Sequence, residues 1–237
     1  MSNGYFQFRQ FTIHHDRCAM KVGTDGVLVG AWGAVPQQKQ RPRILDVGTG
    51  TGLIALMAAQ RSPQASVLGI DIDGAAVLQA RENVSASPFA DRVTIWHCSL
   101  QELDDAGFDA ILCNPPFFEE SLLPPDRQRS LARHTTTLPF SDLIAGAAHL
   151  LAPGGTFSLI LPVTAFEAFR LDCFAADLML TRLCHVRPTA SKPAKRVLAT
   201  FTLHATMVQL EENTLILNHG AARTPEYEAL THDFYLW

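Results

Sequence analysis

Ile44-Leu45-Asp46-Val47-Gly48-Thr49-Gly50-Thr51-Gly52 is the stretch that decides the fold. An apolar strand-like run from Arg43 to Val47 enters three closely spaced glycines, and a helical pattern follows over 53–60. Strand, glycine turn and helix form the opening unit of a doubly wound sheet. Glycine is needed where the backbone takes positive φ and where a ligand must touch main-chain atoms. The dinucleotide fingerprint Gly-x-Gly-x-x-Gly would need glycine at position 53, which is Leu53. The third glycine instead comes one residue early, and Asp46 precedes the loop by two positions. A carboxylate there repels a pyrophosphate and suits a ligand carrying an ammonium group.

The residues downstream extend the pattern. A strand over 66–70 leads through Leu68-Gly69-Ile70 into Asp71, with Ile72 beside it. An acid at this strand end, about twenty residues past the loop, accepts both hydroxyls of a ribose. A ligand with a ribose, an amino group and no phosphate is S-adenosylmethionine. Helix 75–84, strands 93–97 and 108–113, helix 138–151 closed by Pro153-Gly154-Gly155, and strand 156–161 continue the alternation. Strand-like runs at 179–186, 196–204 and 214–217 end the chain, and 24–32 is helical. The expected fold is α/β: a mostly parallel, Rossmann-like sheet with helices on both faces, finished by an antiparallel C-terminal hairpin.

Two further strand ends carry chemistry. At Trp96-His97-Cys98-Ser99 the expected acceptor for an adenine amine is Ser99, and His97 reads as structural. Strand 108–113 runs into Asn114-Pro115-Pro116-Phe117. The prolines stiffen the turn. The Asn114 amide oxygen and the Pro115 carbonyl can both accept from one planar NH2, orienting it and exposing its lone pair. Phe117 offers a face for a planar base. An amine conjugated with its ring needs positioning more than deprotonation, which fits in-line displacement at a sulfonium methyl. No His, Cys, Asp and Glu spacing suggests a metal, and five cysteines without CxxC read as reduced core thiols.

With these motifs in this order, the sequence resembles the class I amino-group methyltransferases that act through Asn-Pro-Pro-[Phe/Tyr]. The segment Asp16-Arg17-Cys18-Ala19-Met20-Lys21-Val22-Gly23-Thr24-Asp25-Gly26 looks like that of the bacterial tRNA(Val) adenine-37 N6-methyltransferases. So do Ala132-Arg133-His134-Thr135-Thr136-Thr137-Leu138, Arg196-Val197-Leu198 and the ending from Tyr227 to Tyr235. The resemblance spans nearly the whole chain. It implies S-adenosylmethionine contacts at Asp46, Gly48, Gly50, Asp71, Ile72 and Ser99, and target-amine contacts at Asn114, Pro115, Pro116 and Phe117. It also implies that Lys21 and Thr24 close over the cofactor or target. Ser99 stands where the family usually has Asp, and Phe117 where Tyr is commoner.

Composition bounds the alternatives. The 237 residues are 47% hydrophobic and 18% charged, which supplies a packed core and excludes a disordered or collagen-like chain. The length fits one large domain, read as an N-terminal extension over 1–42 capping the site and a catalytic domain over 43–237. The net charge of −4 argues against nucleic acid when taken whole. By segment it is +4 over 1–43, −8 over 44–120, +4 over 121–200 and −4 over 201–237. The basic blocks suggest tRNA phosphate contacts from Arg127, Arg129, Arg133, Arg187, Lys192, Lys195 and Arg196. The start is not signal-like and no apolar run approaches the roughly 18 residues that span a bilayer, so a cytoplasmic, monomeric protein is expected. Two alternatives are a protein-glutamine methyltransferase and a non-catalytic RNA-binding protein on the same fold. The first usually needs a sizeable N-terminal helical domain; the second would be expected to have lost the glycine loop, Asp71 or the tetrapeptide.

Overall fold

Side chains along the central strands alternate between two faces, and both faces are buried under helices. A computed structural model describes residues 4–18, 21–116, 138–205 and 209–236. A short hairpin of β1 (Tyr5–Gln7) and β2 (Thr12–His14) precedes α1 (Thr24–Trp32). The core follows as β3 (Arg43–Val47), α2 (Leu53–Arg61), β4 (Ser66–Asp71), α3 (Gly74–Ser85), β5 (Val93–His97) and β6 (Phe108–Cys113). Then come α4 (Phe140–Leu150), β7 (Leu151–Pro162), α5 (Val163–Ala175), β8 (Leu178–Thr189), β9 (Arg196–Leu203), β10 (Glu211–His219), β11 (Ala222–Arg223) and α6 (Pro225–Thr231).

The large sheet runs β11-β10-β8-β9-β7-β6-β3-β4-β5. From β5 to β7 all neighbours are parallel; β9 is antiparallel to both β7 and β8. The expected C-terminal hairpin is thus β8–β9, with β10 returning parallel to β8. The chain leaves β3 for β4 on one side and later resumes at β6 on the other. That reversal opens a crevice at the carboxyl ends of β3 and β6, where ligands bind in such sheets. In β3, Ile44 packs with the α1–α2–α3 face, while Leu45 and Val47 pack with the α4–α5 face. By the same alternation Asp46 points toward the α1–α2 side, and it is fully buried there.

One expectation changes, and two features are added. Pro153-Gly154-Gly155 does not close the helix before the strand begins, because β7 starts at Leu151. Phe108 pairs with Leu151 and Ala110 with Thr156, so the residues between bulge out of the ladder, and Gly154 takes φ +76. Helix α5 was not anticipated, although Phe166, Phe169 and Cys173 bury at helical spacing. The N-terminal segment packs into the main core: Phe8, Phe11 and Ile13 join the cluster that holds α1 and α2, with Phe8 stacked on Tyr235. Among the described residues, no helix is long and apolar enough to cross a membrane.

Candidate active site

The glycine loop is shaped by three left-handed residues, Gly48 (φ +67), Gly50 (φ +54) and Gly52 (φ +82). No described atom lies within 4 Å of where a Cβ on Gly48 would sit, and the nearest to one on Gly50 is the Gly48 carbonyl oxygen at 4.0 Å. Those two glycines therefore border open space, whereas a Cβ on Gly52 would meet Ala80 Cβ of α3 at 3.4 Å. The loop is tied down on several sides. Thr49 N donates to Ile70 O (2.9 Å) and Gly50 N donates to Asp71 Oδ2 (2.8 Å).

Asp46 organises the loop from beneath. Its Oδ2 accepts from Thr49 Oγ1 (2.6 Å) and from Ala55 N (3.0 Å), while Oδ1 is buried without a partner among the described residues. Burial pushes this carboxyl up to about 7, the Asp71 charge adds to the rise, and the two hydrogen bonds oppose it. Oδ1 is the oxygen left to meet a cationic group. The ordinary value for the unfolded chain is 3.8, so the folded protein holds an extra proton between there and about 7. Stability of the ligand-free protein should fall as pH rises across that window and then level off. A cation at Oδ1 reverses the preference. Affinity for a cationic ligand should therefore rise with pH up to about 7, with proton release on binding. Calorimetry in buffers of contrasting ionisation heat measures that release, and none at any pH would remove Asp46 from the ligand's contacts.

Asp71 ends β4, level with His97 of β5. Its Oδ1 accepts from Asp73 N (2.9 Å) and its Oδ2 from Gly50 N, so each oxygen keeps a lone pair for a ribose hydroxyl. Ile72, 44% exposed, offers an apolar surface beside it. His97 Nε2 lies 3.0 Å from Ile72 O, which gives this histidine a structural place.

Ser99 is less available than its position suggested. It caps the 3-10 turn Leu100–Glu102 in a reciprocal box: Ser99 Oγ donates to Glu102 Oε2 (2.9 Å) and accepts from Glu102 N (3.3 Å). Glu102 Oε2 also takes Ser99 N (2.8 Å), and these bonds hold its carboxyl below the usual range. The anionic oxygen at this strand end belongs to Glu102. The Ser-x-x-Glu spacing of a capping box could have pointed to it from sequence.

Asn114 follows Cys113, which pairs with Val47 across β3 and β6, so the tetrapeptide and the glycine loop share one edge. Asn114 Oδ1 is buried with no hydrogen-bond partner among the described residues. Pro115 is buried and Pro116 exposed. A Cβ on Gly26 of α1 would lie 3.9 Å from Asn114 Nδ2, so α1 flanks this side. Phe117, Arg127, Arg129 and Arg133, with the 132–137 part of the Ala132–Leu138 stretch, lie outside the described residues.

The N-terminal segment reaches the same edge through α3. Asn83, 1% exposed, accepts from His14 N (2.9 Å) and donates to His14 O and to Thr51 O (both 2.9 Å). It staples β2 to the glycine loop, and Gln79 Oε1 adds a bond from Arg17 N at 3.2 Å. Burial pushes the Cys18 thiol up to about 11, and the charges of Asp73, Asp71 and Asp16 add to the rise. Lys21 and Thr24 are exposed where α1 begins. Asn83→Ala strands three backbone groups and should cost about 3 kcal/mol of stability while weakening cofactor binding. Chemical denaturation and calorimetry check both; unchanged cofactor affinity would deny the staple any influence on the loop.

The basic residues divide. Arg187 closes the β8–β9 turn through Lys192 O (2.8 Å) and Ala190 O (2.5 Å). Arg196 pairs with Asp25 of α1 at 3.0 Å. Lys192 and Lys195 are exposed on that turn, which projects from the edge where β7 ends.

Comparison with known proteins agrees with this arrangement. Residues 33–165 match the family model "Methyltransferase small domain". A Parabacteroides distasonis protein named tRNA1(Val) (adenine(37)-N6)-methyltransferase is 47% identical, covering 100% of this chain and 99% of that one. A protein of the same name from Aeromonas salmonicida is 42% identical, with 99% and 98% covered. Among solved structures, one described as a predicted O-methyltransferase from Agrobacterium tumefaciens superposes with a TM-score of 0.70 at 20% identity, over 90% of this chain and 98% of that one. That likeness speaks to the fold. From the sequence matches, which run the full length, the chain belongs to the methyltransferase family whose curated members are named tRNA1(Val) (adenine(37)-N6)-methyltransferase.

Proposed function

We propose that the chain is an enzyme that transfers a methyl group from S-adenosylmethionine to N6 of an adenine in the tRNA anticodon loop, adenine 37 of tRNA(Val). The observation that carries this reading is the meeting at one sheet edge of an open glycine cradle, the Asp71 carboxylate and the unpartnered Asn114 Oδ1. These residues fit the cofactor. Gly48 and Gly50 leave room for main-chain contact, Asp71 retains lone pairs for the ribose, and Asp46 Oδ1 suits the ammonium. Ile72 and the Ser99–Glu102 pair would border the adenine. Lys21 and Thr24 would close the site from the N-terminal segment, which acts as its cap.

S-adenosylmethionine supplies an electrophilic methyl on a sulfonium. The protein's part would be to present the amine: Asn114 Oδ1 and the Pro115 carbonyl would accept its two hydrogens, with Phe117 proposed as the face for the base. An amine held in this way would have its lone pair turned toward the methyl that the cofactor would supply, and the proton it loses would leave to solvent. The target base must be unstacked, which costs less in a loop than in a duplex. Lys192 and Lys195 suit phosphates beside the site, with Arg127, Arg129 and Arg133 proposed for the same work. Arg187 and Arg196 would act by holding the turn and α1. The reaction belongs in the cytoplasm, carried out by a monomer. The described N-terminal segment is a small hairpin and one helix. Labelled methyl transfer to a tRNA(Val) transcript tests the assignment; equal incorporation when guanine replaces adenine 37 would overturn it.

A further inference from the structure

At the opposite edge of the sheet, near the amino ends of β6 and β7, a cavity of about 540 Å³ is lined by Lys39, Arg61, Asp109, Gly154, Thr156 and Arg182 among others. Lys39 and Arg182 each have a carboxylate partner, and Arg61 has none among the described residues. Arg61 Nη1 donates to Gly30 O (2.9 Å) and Gly33 O (2.7 Å), which satisfies carbonyls at the end of α1. Arg61 makes no ion pair among the described residues. Arg182 lies over the Trp32 ring at 4.2 Å and donates to Trp32 O at 3.3 Å. Its carboxylate partner, Glu211, is 3.4 Å away and 74% exposed.

Burial and the Arg182 charge together push the Arg61 guanidinium down to about 10, so the two cations are near enough to repel. Helix capping accounts for Arg61 Nη1 alone. It leaves Arg61 Nε and Nη2 and Arg182 Nη2 without hydrogen-bond partners among the described residues. Lys39 adds a third cation, held to Asp109 at 2.5 Å. Across from them, no described atom lies within 4 Å of a Cβ placed on Gly154, so the bulge leaves the entrance clear. Adjacent guanidinium forks with unused donors match the oxygens of a phosphate, and an anion between them relieves their repulsion.

We propose that this cavity is a phosphate-binding site separate from the methyl-transfer centre, with Arg61 and Arg182 as its fork and Lys39 at its rim. The phosphate belongs either to the tRNA backbone or to a small phosphorylated molecule. Two arms tell these apart, and the first stands whether or not tRNA is the substrate. In the first, inorganic pyrophosphate is titrated against potassium chloride of equal ionic strength while the melting temperature is read. A small-molecule site gives a pyrophosphate-specific rise in the wild type that Arg182→Met and Lys39→Met each reduce and the double variant abolishes. In the second, tRNA affinity is measured against salt. Backbone binding lowers the slope of log Kd against log salt by about two in the double variant. Far-ultraviolet circular dichroism and unchanged cofactor affinity show that the variants are folded. Either response supports the site; no pyrophosphate-specific rise together with an unchanged slope overturns it.

Discussion

Asn114→Ala is expected to lower the rate of methyl transfer on the order of 10²- to 10³-fold, with S-adenosylmethionine affinity held within about threefold. The side chain stands at the end of β6, on the edge it shares with the glycine loop, and its Oδ1 is buried with no partner among the described residues. An unmatched buried acceptor costs free energy in the resting protein. An amine that fills it both recovers that cost and is turned to face the methyl. The proposed cofactor contacts lie elsewhere, on Asp71 and the loop, so truncation should separate turnover from binding. Asn114→Asp keeps an acceptor and should restore part of the rate, whereas Asn114→Leu should not. Single-turnover kinetics and calorimetry on the same preparations measure both quantities. Undiminished turnover in Asn114→Ala would remove the residue from the reaction.

Asp71→Ala is the counterpart, and it should fail at binding. Removing the carboxylate frees Gly50 N and Asp73 N, which it now holds at 2.8 and 2.9 Å, and would cost the ribose the two charge-assisted hydrogen bonds proposed for it. Charge-assisted bonds contribute more than neutral ones. Cofactor Kd should therefore rise on the order of 10²- to 10³-fold. Turnover at saturating cofactor should fall much less. Asp71→Asn, which keeps an acceptor but loses the charge, should lie between. Equilibrium binding of S-adenosylhomocysteine checks the order of the three proteins, and equal affinity across them would contradict the assignment.

The central fold was readable because its strands are apolar runs punctuated by glycine and acid, and such signals are local. Gly48, Gly50, Asp71 and Asn114 announce themselves by position at strand ends. What escaped depends on distance along the chain. Asn83 joins His14 and Thr51 across 69 and 32 residues, and no local periodicity marks that junction. Arg196 meets Asp25 across 171 residues, so counting charge by segment could not tell which cations were already engaged. Helix α5 is hard to read from sequence because exposed Leu171 and Phe174 blur the stripe formed by Phe166, Phe169 and Cys173. Ser99 illustrates a different limit: a position at a strand end does not show that its hydroxyl is spent on capping the turn that follows and on Glu102 Oε2.

The most direct test is to incubate the purified protein with tRNA(Val) and methyl-labelled S-adenosylmethionine, digest the tRNA and identify the nucleosides by mass spectrometry. Amine presentation by Asn114 and Pro115 predicts label in N6-methyladenosine, mapped to the anticodon-loop fragment that holds position 37. Label on a ring nitrogen or ring carbon of adenine, or no transfer to tRNA at all, would contradict it.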